Sequence, residues 1–357
     1  MLVSALREAG FRVLGKTTGS RAMLLFPGGG EAELARRGRP SVLEQIKVLH
    51  RAAGASADAV VTEMMAIRPE LLRVESLRIL QPHILILTNA RIDHTEYWGP
   101  SRETAARCLA AAMAPGCAVF VADDDMLPVW EEEALRRGAR LHPVGLAADE
   151  EASDYGEPGK GKEHDLTLEF KTDVTLAQAV TDYLEIDRAA ARRGFRQALP
   201  DLGSLRIWRW RPQAAALARD CVNAFAANDP ASTRLVIHKL SDLGFFGGRP
   251  VFGLLNLRRD RGDRTLQWVE AFRAGAFPEL AELFVVGEQA RVFERLTARR
   301  GGRIQARALR GRKAEEIMAG LGALTSAPAV ILGMGNMAGA GRKLVEYWER
   351  EGEGLAV

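Results

Sequence analysis

Cysteine is scarce in this chain of 357 residues, which contains only Cys108, Cys117 and Cys221. Their spacings suit neither a zinc site nor a redox pair, and so few cysteines are typical of a protein that keeps its thiols reduced. Long apolar runs are scarce as well: no stretch of the sequence approaches the length of a membrane span, and no signal-peptide pattern is visible. The sequence therefore argues against a disulfide scaffold and against a cysteine-based metal site.

An excess of charge of one sign is also missing. The 49 Lys and Arg residues nearly balance the 46 Asp and Glu residues, and a net charge of +3 is too small to favour nucleic acid as a partner. The basic segment 295–313 fits either a polyanion ligand or a solvated surface. The length is sufficient for two domains, and the composition shifts near Arg211 and Pro212, so we place a domain boundary between residues 210 and 211.

The stretch 84–99, ILILTNARIDHTEYWG, changes abruptly from apolar to polar. The run 84–87 predicts a short buried strand, and Asn89, Asp93 and His94 follow it closely. In open α/β sheets ligands bind beyond the carboxyl ends of the strands, so these side chains are candidates for a functional loop. The alternative is an ordinary loop in which Asp93 caps the next helix.

A lone carboxylate, Glu63, interrupts the apolar segment 59–65, which predicts another buried strand. A buried carboxylate is costly unless it has a cationic partner. Because Mg²⁺ prefers carboxylate ligands, Glu63 is a candidate metal ligand. The alternative is a salt bridge to a neighbouring arginine such as Arg68.

A phosphate-loop pattern occurs near the start of the chain, but in the wrong context. Gly10, Gly15, Lys16 and Thr17 fit G-x-x-x-x-G-K-[ST] letter for letter. The mechanism needs a strand before the first glycine and a helix after the lysine, whereas here helical spacing precedes Gly10 and strand-like residues fill the interval. We therefore reject a nucleotide loop. With Thr18, the lysine and threonine suit either a bound carboxylate or an ordinary polar loop.

Three further loops follow predicted strands in the second half of the chain. The strand 221–225 breaks into a turn at 228–230 that caps a helix. The loop RRDRGDRT (258–265) is dense in arginine and aspartate, which suits either anion binding or a self-paired surface cluster. Another strand ends in GMGN (333–336), whose glycines permit close approach of the backbone to a ligand.

Taken together, five motifs resemble a known family in their order and spacing. They are VVTEMMAIRP (60–69), TNARIDHTEYWGP (88–100), NAFAANDPAST (223–233), RRDRGDRT (258–265) and GMGN (333–336). The chain resembles the ligase subunit of the poly-gamma-glutamate synthase of the capsule-biosynthesis type, within the Mur ligase and folylpolyglutamate synthase superfamily. The resemblance extends from residue 2 to about residue 348.

The resemblance implies an ATP-dependent amide ligase that forms γ-glutamyl bonds through an acyl phosphate. ATP and Mg²⁺ are the implied cofactors, glutamate and a polyglutamate chain the implied substrates, and membrane subunits of a synthase complex the implied partners, at the cytoplasmic side of the membrane. The implied fold is α/β, with a phosphate-loop-type central domain over 1–210 and a smaller Rossmann-like domain over 211–357. The rival hypotheses are a Mur-like ligase for another amino acid and a catalytically inactive scaffold.

The resemblance also implies roles for particular residues. The implied catalytic residues are His94, Asp93 and Arg206, and the implied metal ligands are Glu63 and His94. The implied nucleotide-binding residues are Asn89, Asn223, Phe225, Asn228, Arg261, Asp263 and Arg264. The residues implied to face the acceptor substrate are Lys16, Thr17, Thr18 and Gly19.

The sequence departs from the family pattern in two places. The family's phosphate loop precedes the first helix, whereas helical spacing begins here at residue 2 without a cap. We expect the chain to begin inside that helix and the loss of the central strand to leave a gap in the sheet; a frayed terminus is the alternative. The second departure is Asp173, which stands where the family has an asparagine that opens a helix, so an adenine contact is not expected there.

Overall fold

The computed structural model describes residues 1–18, 22–36, 40–92, 94–122, 124–145, 171–198, 204–211, 218–298, 304–311, 313–324 and 328–355. The described residues up to 198 form one compact unit, and those from 204 onward form a second. Two of the predicted site residues, Gly19 and Asp93, lie outside the described residues.

The first unit alternates short strands with helices. Its strands are β1 (Val13–Lys16), β2 (Met23–Leu25), β3 (Glu31–Glu33), β4 (Ala59–Thr62), β5 (Ile84–Leu87), β6 (Ala118–Val121) and β7 (Arg140–Pro143). Its helices are α1 (Leu2–Glu8), α2 (Glu44–Gly54), α3 (Pro69–Arg73), α4 (Thr95–Trp98), α5 (Arg102–Leu109), α6 (Leu127–Arg137), α7 (Lys171–Tyr183) and α8 (Arg188–Arg196), and a π-helical segment, Val74–Leu80, continues α3.

The strands of the first unit form two separate sheets, in the orders β3-β2-β1-β4 and β5-β6-β7. Within the part of the chain that the structure describes, β4 pairs only with β1, and β5 pairs only with β6. Both of these pairs are parallel, so the carboxyl ends of β1 and β4 lie together, as do those of β5 and β6.

Close helix packing holds the start of the first unit in place. Helix α1 buries Val3, Ala5 and Leu6. A Cβ atom added at Gly194 of α8 would lie 2.4 Å from the Cα of Ala5, and one added at Gly15 of β1 would lie 2.8 Å from Cγ2 of Val3. Glycine is therefore required where α1 meets α8 and β1, and the helical prediction for residues 2–9 is confirmed.

The rejection of the phosphate-loop pattern is also confirmed. Gly10 follows the end of α1 with φ of +93°, and Gly15 and Lys16 lie inside β1. Strand residues alternate their side chains across the sheet and point their amides at neighbouring strands, so this segment forms no cradle for a phosphate.

The second unit also alternates strands and helices. Its strands are β8 (Arg206–Trp210), β9 (Arg219–Asn223), β10 (Val251–Leu257), β11 (Leu280–Gly287), β12 (Ala306–Ala308), β13 (Ala329–Gly335) and β14 (Glu353–Leu355). Its helices are α9 (Pro230–Asp242), α10 (Gly262–Arg273), α11 (Ala290–Ala298), α12 (Ala314–Leu324) and α13 (Arg342–Glu351). The predicted cap is present, since Asp229 accepts a hydrogen bond from the Ser232 amide at 2.9 Å.

One seven-stranded sheet organises the second unit, in the order β12-β11-β10-β13-β9-β8-β14. Strands β9 to β13 are parallel, while β8 and β14 are antiparallel to their neighbours. Because β8 pairs along its whole length with β9, the second unit begins before Arg206 rather than after Trp210, where the composition shift placed the boundary. The connections after the neighbouring strands β10 and β13 run in opposite directions across the sheet, towards β11 and towards β14. Open parallel sheets bind ligands at such a point.

The glycines of the GMGN motif serve packing inside the sheet. Gly333 and Gly335 belong to β13 rather than to a loop after it. A Cβ atom at Gly333 would lie 2.5 Å from the Phe225 ring, and one at Gly335 would lie 2.6 Å from the carbonyl oxygen of Asn256. The close backbone approach predicted at these glycines is therefore made to the protein itself.

Candidate functional site

Glu63 stands immediately beyond the carboxyl end of β4. The strand ends at Thr62, and the Glu63 side chain is exposed rather than buried, so the predicted cost of burying it does not arise. Its Oε2 accepts a hydrogen bond from the Thr18 amide at 2.5 Å. The salt bridge to Arg68 is not formed, because that arginine lies over the Tyr97 ring, with its Cζ 5.0 Å from the ring centroid.

His94 is held in a strained backbone conformation next to the same loop. Its φ and ψ are both 46°, in the left-handed region that non-glycine residues rarely adopt. The imidazole is buried and meets Trp98 edge-on, with 5.2 Å between the ring centroids. Strain of this kind is concentrated at functional sites, which agrees with a role for His94.

Two contacts tie the loop after β4 to helix α4. The Trp98 indole N–H donates to the carbonyl oxygen of Ile67 at 2.7 Å. Arg68 stacks on Tyr97 and donates to its hydroxyl at 3.3 Å. The loops that carry Glu63 and His94 are therefore neighbours, although they follow strands of different sheets.

The donor set is small but fits a magnesium ion. Across the described ranges, His, Cys, Asp and Glu side chains nowhere gather in a group of three or more that could hold a metal ion. Mg²⁺ commonly takes one or two protein carboxylates and completes its shell with water and phosphate oxygens. An exposed Glu63 carboxylate, whose hydrogen-bond donor among the described residues is the neutral Thr18 amide, suits such a role.

Lys16 is more deeply buried than a loop residue would be. It ends β1, its side chain is only 2% exposed, and its Nζ lies 3.8 Å from the sulfur of Met65. Burial lowers the pKa of Lys16, although the carboxylates of Glu44 and Glu75 act in the opposite direction. Thr17 and Thr18 follow at the strand end, where the Thr17 hydroxyl accepts from the Met23 amide at 3.2 Å. The structure therefore brings these acceptor-side candidates next to Glu63.

Asn89 begins the loop after β5 and is half-buried. Its side-chain amide donates to the Thr88 hydroxyl at 3.4 Å. The next residue, Ala90, accepts from Arg102 Nε at 3.1 Å, and Arg102 also bonds Asp125 at 2.6 Å. These bonds fix the loop to α5 and to the turn after β6, so Asn89 occupies a defined place at the strand ends.

In the second unit, Phe225 does not lie at a surface. Its ring is fully buried and stacks on Trp348 with 5.8 Å between the centroids. The nucleotide contact predicted for this side chain is therefore corrected: a ring enclosed by the core cannot stack on a base. Asn223 is also buried, with its amide nitrogen donating to the Ser204 carbonyl at 2.9 Å.

Arg206 lies at the edge of the sheet where the carboxyl ends of the parallel strands meet, and its guanidinium contacts two neighbouring side chains. Antiparallel pairing places it opposite Asn223, at the carboxyl end of β9. Its guanidinium bonds Glu349 at 3.1 Å and covers the Trp208 ring, with 4.8 Å from Cζ to the centroid. The bond to Glu349 uses Nη2 alone, and Nε is buried without a hydrogen-bond partner among the described residues. The catalytic role of Arg206 stays a prediction.

The start of α10 carries three residues that were predicted to bind the nucleotide, Arg261, Asp263 and Arg264. Arg264 is buried, and its Nη1 donates to the carbonyl of Asn228 at 3.3 Å, while the Asn228 side chain is half-buried. One carboxylate oxygen of Asp263, Oδ2, is buried with no hydrogen-bond partner among the described residues. Arg261 precedes the helix and accepts from the Thr265 amide at 3.1 Å through its carbonyl. Of the predicted residues, Asn228, Asp263 and Arg264 are thus brought together.

The sequence-based reasoning missed Gln45 and Glu75, which lie beneath the Glu63 loop. Both side chains are 0% exposed and hydrogen-bonded to each other at 2.6 Å. The sequence carried a signal for Gln45, which shares the buried face of α2 with Val48 and Ala52. A polar residue at such a core position indicates a specific partner.

Two family models match successive parts of the chain. The Mur ligase middle domain matches residues 3–176. The poly-gamma-glutamate synthase CapB C-terminal domain matches residues 217–351. The chain is thus similar to a Mur ligase middle domain followed by a C-terminal domain of the CapB type. The family predicted from the five motifs is therefore confirmed.

Two curated relatives are similar to this chain over much of its length. It is 30% identical over 270 residues to the capsule biosynthesis protein CapB of Bacillus anthracis, an alignment that covers 75% of this chain and 56% of that protein. It is 28% identical over 344 residues to the PGA synthase CapB of Bacillus subtilis (strain 168), covering 95% of this chain and 84% of that protein. The chain thus spans just over half the length of the first of these relatives.

Solved structures share the fold of this chain. Escherichia coli FolC, in complex with DHPP and ADP, superposes with a TM-score of 0.66 at 16% identity, covering 98% of this chain and 85% of that one. The bifunctional folylpolyglutamate synthase/dihydrofolate synthase of Yersinia pestis, complexed with AMPPNP and Mn ion, gives 0.66 at 17% identity, covering 97% and 84%. The predicted α/β fold class is confirmed.

No helix among the described residues combines the length and the apolar character needed to cross a membrane.

Proposed function

We propose that this chain is the ligase component of a poly-gamma-glutamate synthase and forms γ-glutamyl amide bonds at the expense of ATP. The observation that carries the proposal is the succession of the two family models, the middle domain over 3–176 and the CapB C-terminal domain over 217–351. Glutamate and a polyglutamate chain are the proposed substrates. Membrane-bound partner subunits, at the cytoplasmic face, are part of the same proposal.

The proposed chemistry is transfer of the γ-phosphoryl group of ATP to a carboxylate, followed by attack of the glutamate amine on the acyl phosphate. Such a reaction depends mostly on positioning and on neutralising phosphate charge. Glu63 and His94 are the proposed holders of Mg²⁺, which supplies that neutralisation when bound. The contacts between their two loops, through Trp98 and Arg68, support this assignment.

The remaining charged groups are proposed to bind the substrates. Lys16, at the end of β1, is the proposed partner of the acceptor carboxylate, because a buried ammonium group at a strand end attracts an anion strongly. In the second unit, Arg264 and Asn228 are the proposed contacts of the nucleotide, and Asp263 carries the unsatisfied oxygen that a ligand hydroxyl would meet.

The experiment is a ligation assay with the whole chain, ATP, Mg²⁺ and a γ-linked glutamate oligomer. We expect release of ADP and growth of the oligomer by one glutamate per turnover, read by mass spectrometry. Glu63→Gln, which removes the charge but keeps the shape, should lower the rate by at least about a hundredfold, because a metal ligand is lost. Full activity of E63Q would contradict the metal assignment.

A scaffold without ATP turnover is the second candidate. It is favoured by one observation: the residues at 10–17 that spell a phosphate loop form the turn after α1 and strand β1 instead. Titration of the folded chain with Mg·ATP separates the two candidates. Millimolar or weaker binding together with a cooperative unfolding transition would support the scaffold, and micromolar binding would support the ligase.

A further inference from the structure

A buried carboxylate lies under the loop that carries Glu63. Glu75, in the π-helical segment Val74–Leu80, is 0% exposed, and no described arginine or lysine forms an ion pair with it. A charge in such a place is costly unless hydrogen bonds replace its lost hydration. The partners that Glu75 has are therefore the reason it can remain there.

Those partners are the backbone of the loop itself. The Met65 amide lies 3.0 Å from Oε1 and 3.2 Å from Oε2 of Glu75, and the Ala66 amide donates to Oε2 at 2.8 Å. Hydrogen bonds to a carboxylate are about twice as strong as those between neutral groups. Glu75 thus fixes the loop on the side that follows Glu63.

Gln45 fixes the loop on the other side. Its side-chain nitrogen donates to the carbonyl oxygen of Glu63 at 3.0 Å and to Oε1 of Glu75 at 2.6 Å. Its side-chain oxygen accepts from the Thr62 hydroxyl at 3.0 Å. All of the polar atoms at the ends of these two side chains therefore have partners, and most of these partners belong to residues 62–66.

The same cluster reaches the acceptor side of the candidate site. Met65, whose amide Glu75 holds, places its sulfur 3.8 Å from the Nζ of Lys16. The Glu75 carboxylate also attracts the Lys16 ammonium group directly. Glu75 therefore contacts the loop on which Met65 meets Lys16.

We propose that Glu75, together with Gln45, is a positioning residue that holds Glu63 where it binds a divalent cation. The inference rests on the proposed function, since it takes the metal role of Glu63 from it. Residues that orient metal ligands typically change metal affinity by about 10- to 100-fold when they are replaced.

The test compares two buried glutamates of the first unit in the whole chain. Glu75→Gln keeps the side-chain shape but leaves at least one loop amide or the Gln45 amide without an acceptor. Glu133→Gln is the matched control, because Glu133 is also buried, at 3% exposed, and is bonded to arginines of α5 and α6 instead of to the loop. Three quantities are measured: the affinity for Mn²⁺, amide hydrogen exchange at residues 63–66, and the melting temperature.

We expect E75Q to weaken Mn²⁺ binding by about tenfold or more and to speed exchange at Met65 and Ala66. E133Q should lower the melting temperature while leaving both of those readouts unchanged. Gln45→Met, which removes the amide bonded to Glu63, should reproduce the loss if E75Q does not fold. Wild-type Mn²⁺ affinity in E75Q, or an equal loss in E133Q, would overturn the positioning role.

Failure of the proposed function gives a different result. If the unaltered chain binds no Mn²⁺, or if E63Q binds it equally well, the metal role of Glu63 is wrong and the positioning role falls with it. If the unaltered chain binds Mn²⁺ through Glu63 and E75Q binds it normally, only the positioning role is wrong.

Discussion

At the scale of single residues, His94 combines a candidate ligand with an unfavourable backbone. Its left-handed conformation is tolerated best by glycine and asparagine and least by β-branched residues. Replacement by asparagine or by valine removes the imidazole and its contact with Trp98 in both cases. The loss of the imidazole is therefore common to both variants, and the difference between them includes the backbone preference of the new residue.

We expect His94→Val to have a free energy of unfolding about 1–2 kcal/mol below that of His94→Asn. Urea denaturation of the two variants measures this difference. Equal stabilities would mean that the backbone relaxes out of the left-handed region when the histidine is gone. Neither variant should retain the Mn²⁺ affinity of the unaltered chain if the imidazole is a ligand.

At the scale of elements, the contact between α1 and α8 depends on a single glycine. A Cβ atom at Gly194 would meet backbone atoms of Ala5 at 2.4 Å, and backbone cannot rotate away. We expect Gly194→Ala to lower the free energy of unfolding by about 1–3 kcal/mol, by forcing the helices apart. Urea denaturation provides the measurement.

Gly54→Ala is the control for this prediction. Gly54 is the last residue of α2, in the same unit, and a Cβ atom added there meets nothing within 4 Å. Alanine should be neutral or stabilise by up to about 1 kcal/mol, because it restricts the unfolded chain. A similar loss in both variants would contradict the steric explanation, because a Cβ atom at Gly54 meets no neighbouring atom and alanine favours a helix more than glycine does.

At the scale of the whole molecule, each unit has its own buried ion pairs, and those of the second unit make its stability depend on pH. Asp220 of β9 is bonded by Arg209 of β8 at 2.9 Å and by Arg249, which follows α9, at 2.5 Å. Burial alone would raise the pKa of Asp220, but the hydrogen bonds from Arg209 and Arg249 outweigh burial and hold the pKa below its usual value of 3.8.

A carboxylate with a lowered pKa stabilises the fold above its unfolded pKa, and that contribution is lost as the pH falls towards its folded pKa. We therefore expect the contribution of Asp220 to the free energy of unfolding to be constant above about pH 5 and to decrease below about pH 4. Asp220→Asn should be less stable at pH 7 and should lose less stability on acidification. Denaturant titrations of both proteins between pH 7 and pH 3 provide the check, and parallel curves would contradict it.

The sequence by itself determined those features of the fold that depend on residues close together in the chain. The strand Ile84–Leu87 lies where its apolar run predicted it, and Asp229 caps α9 as its turn signal indicated. Rejection of the phosphate loop followed from local context alone. Such features were predictable because periodicity and capping act over a few residues along the chain.

Only the tertiary structure decided which polar and aromatic side chains face a ligand. Phe225 is enclosed because Trp348, far along the chain, stacks on it. Glu63 is exposed, whereas Glu75 became the buried carboxylate because Gln45 and two loop amides reach it. Burial depends on which distant elements pack together, and the cost of a buried charge depends on partners brought from those elements. Neither the burial of a side chain nor the cost of its charge can be predicted from the residues next to it in the sequence.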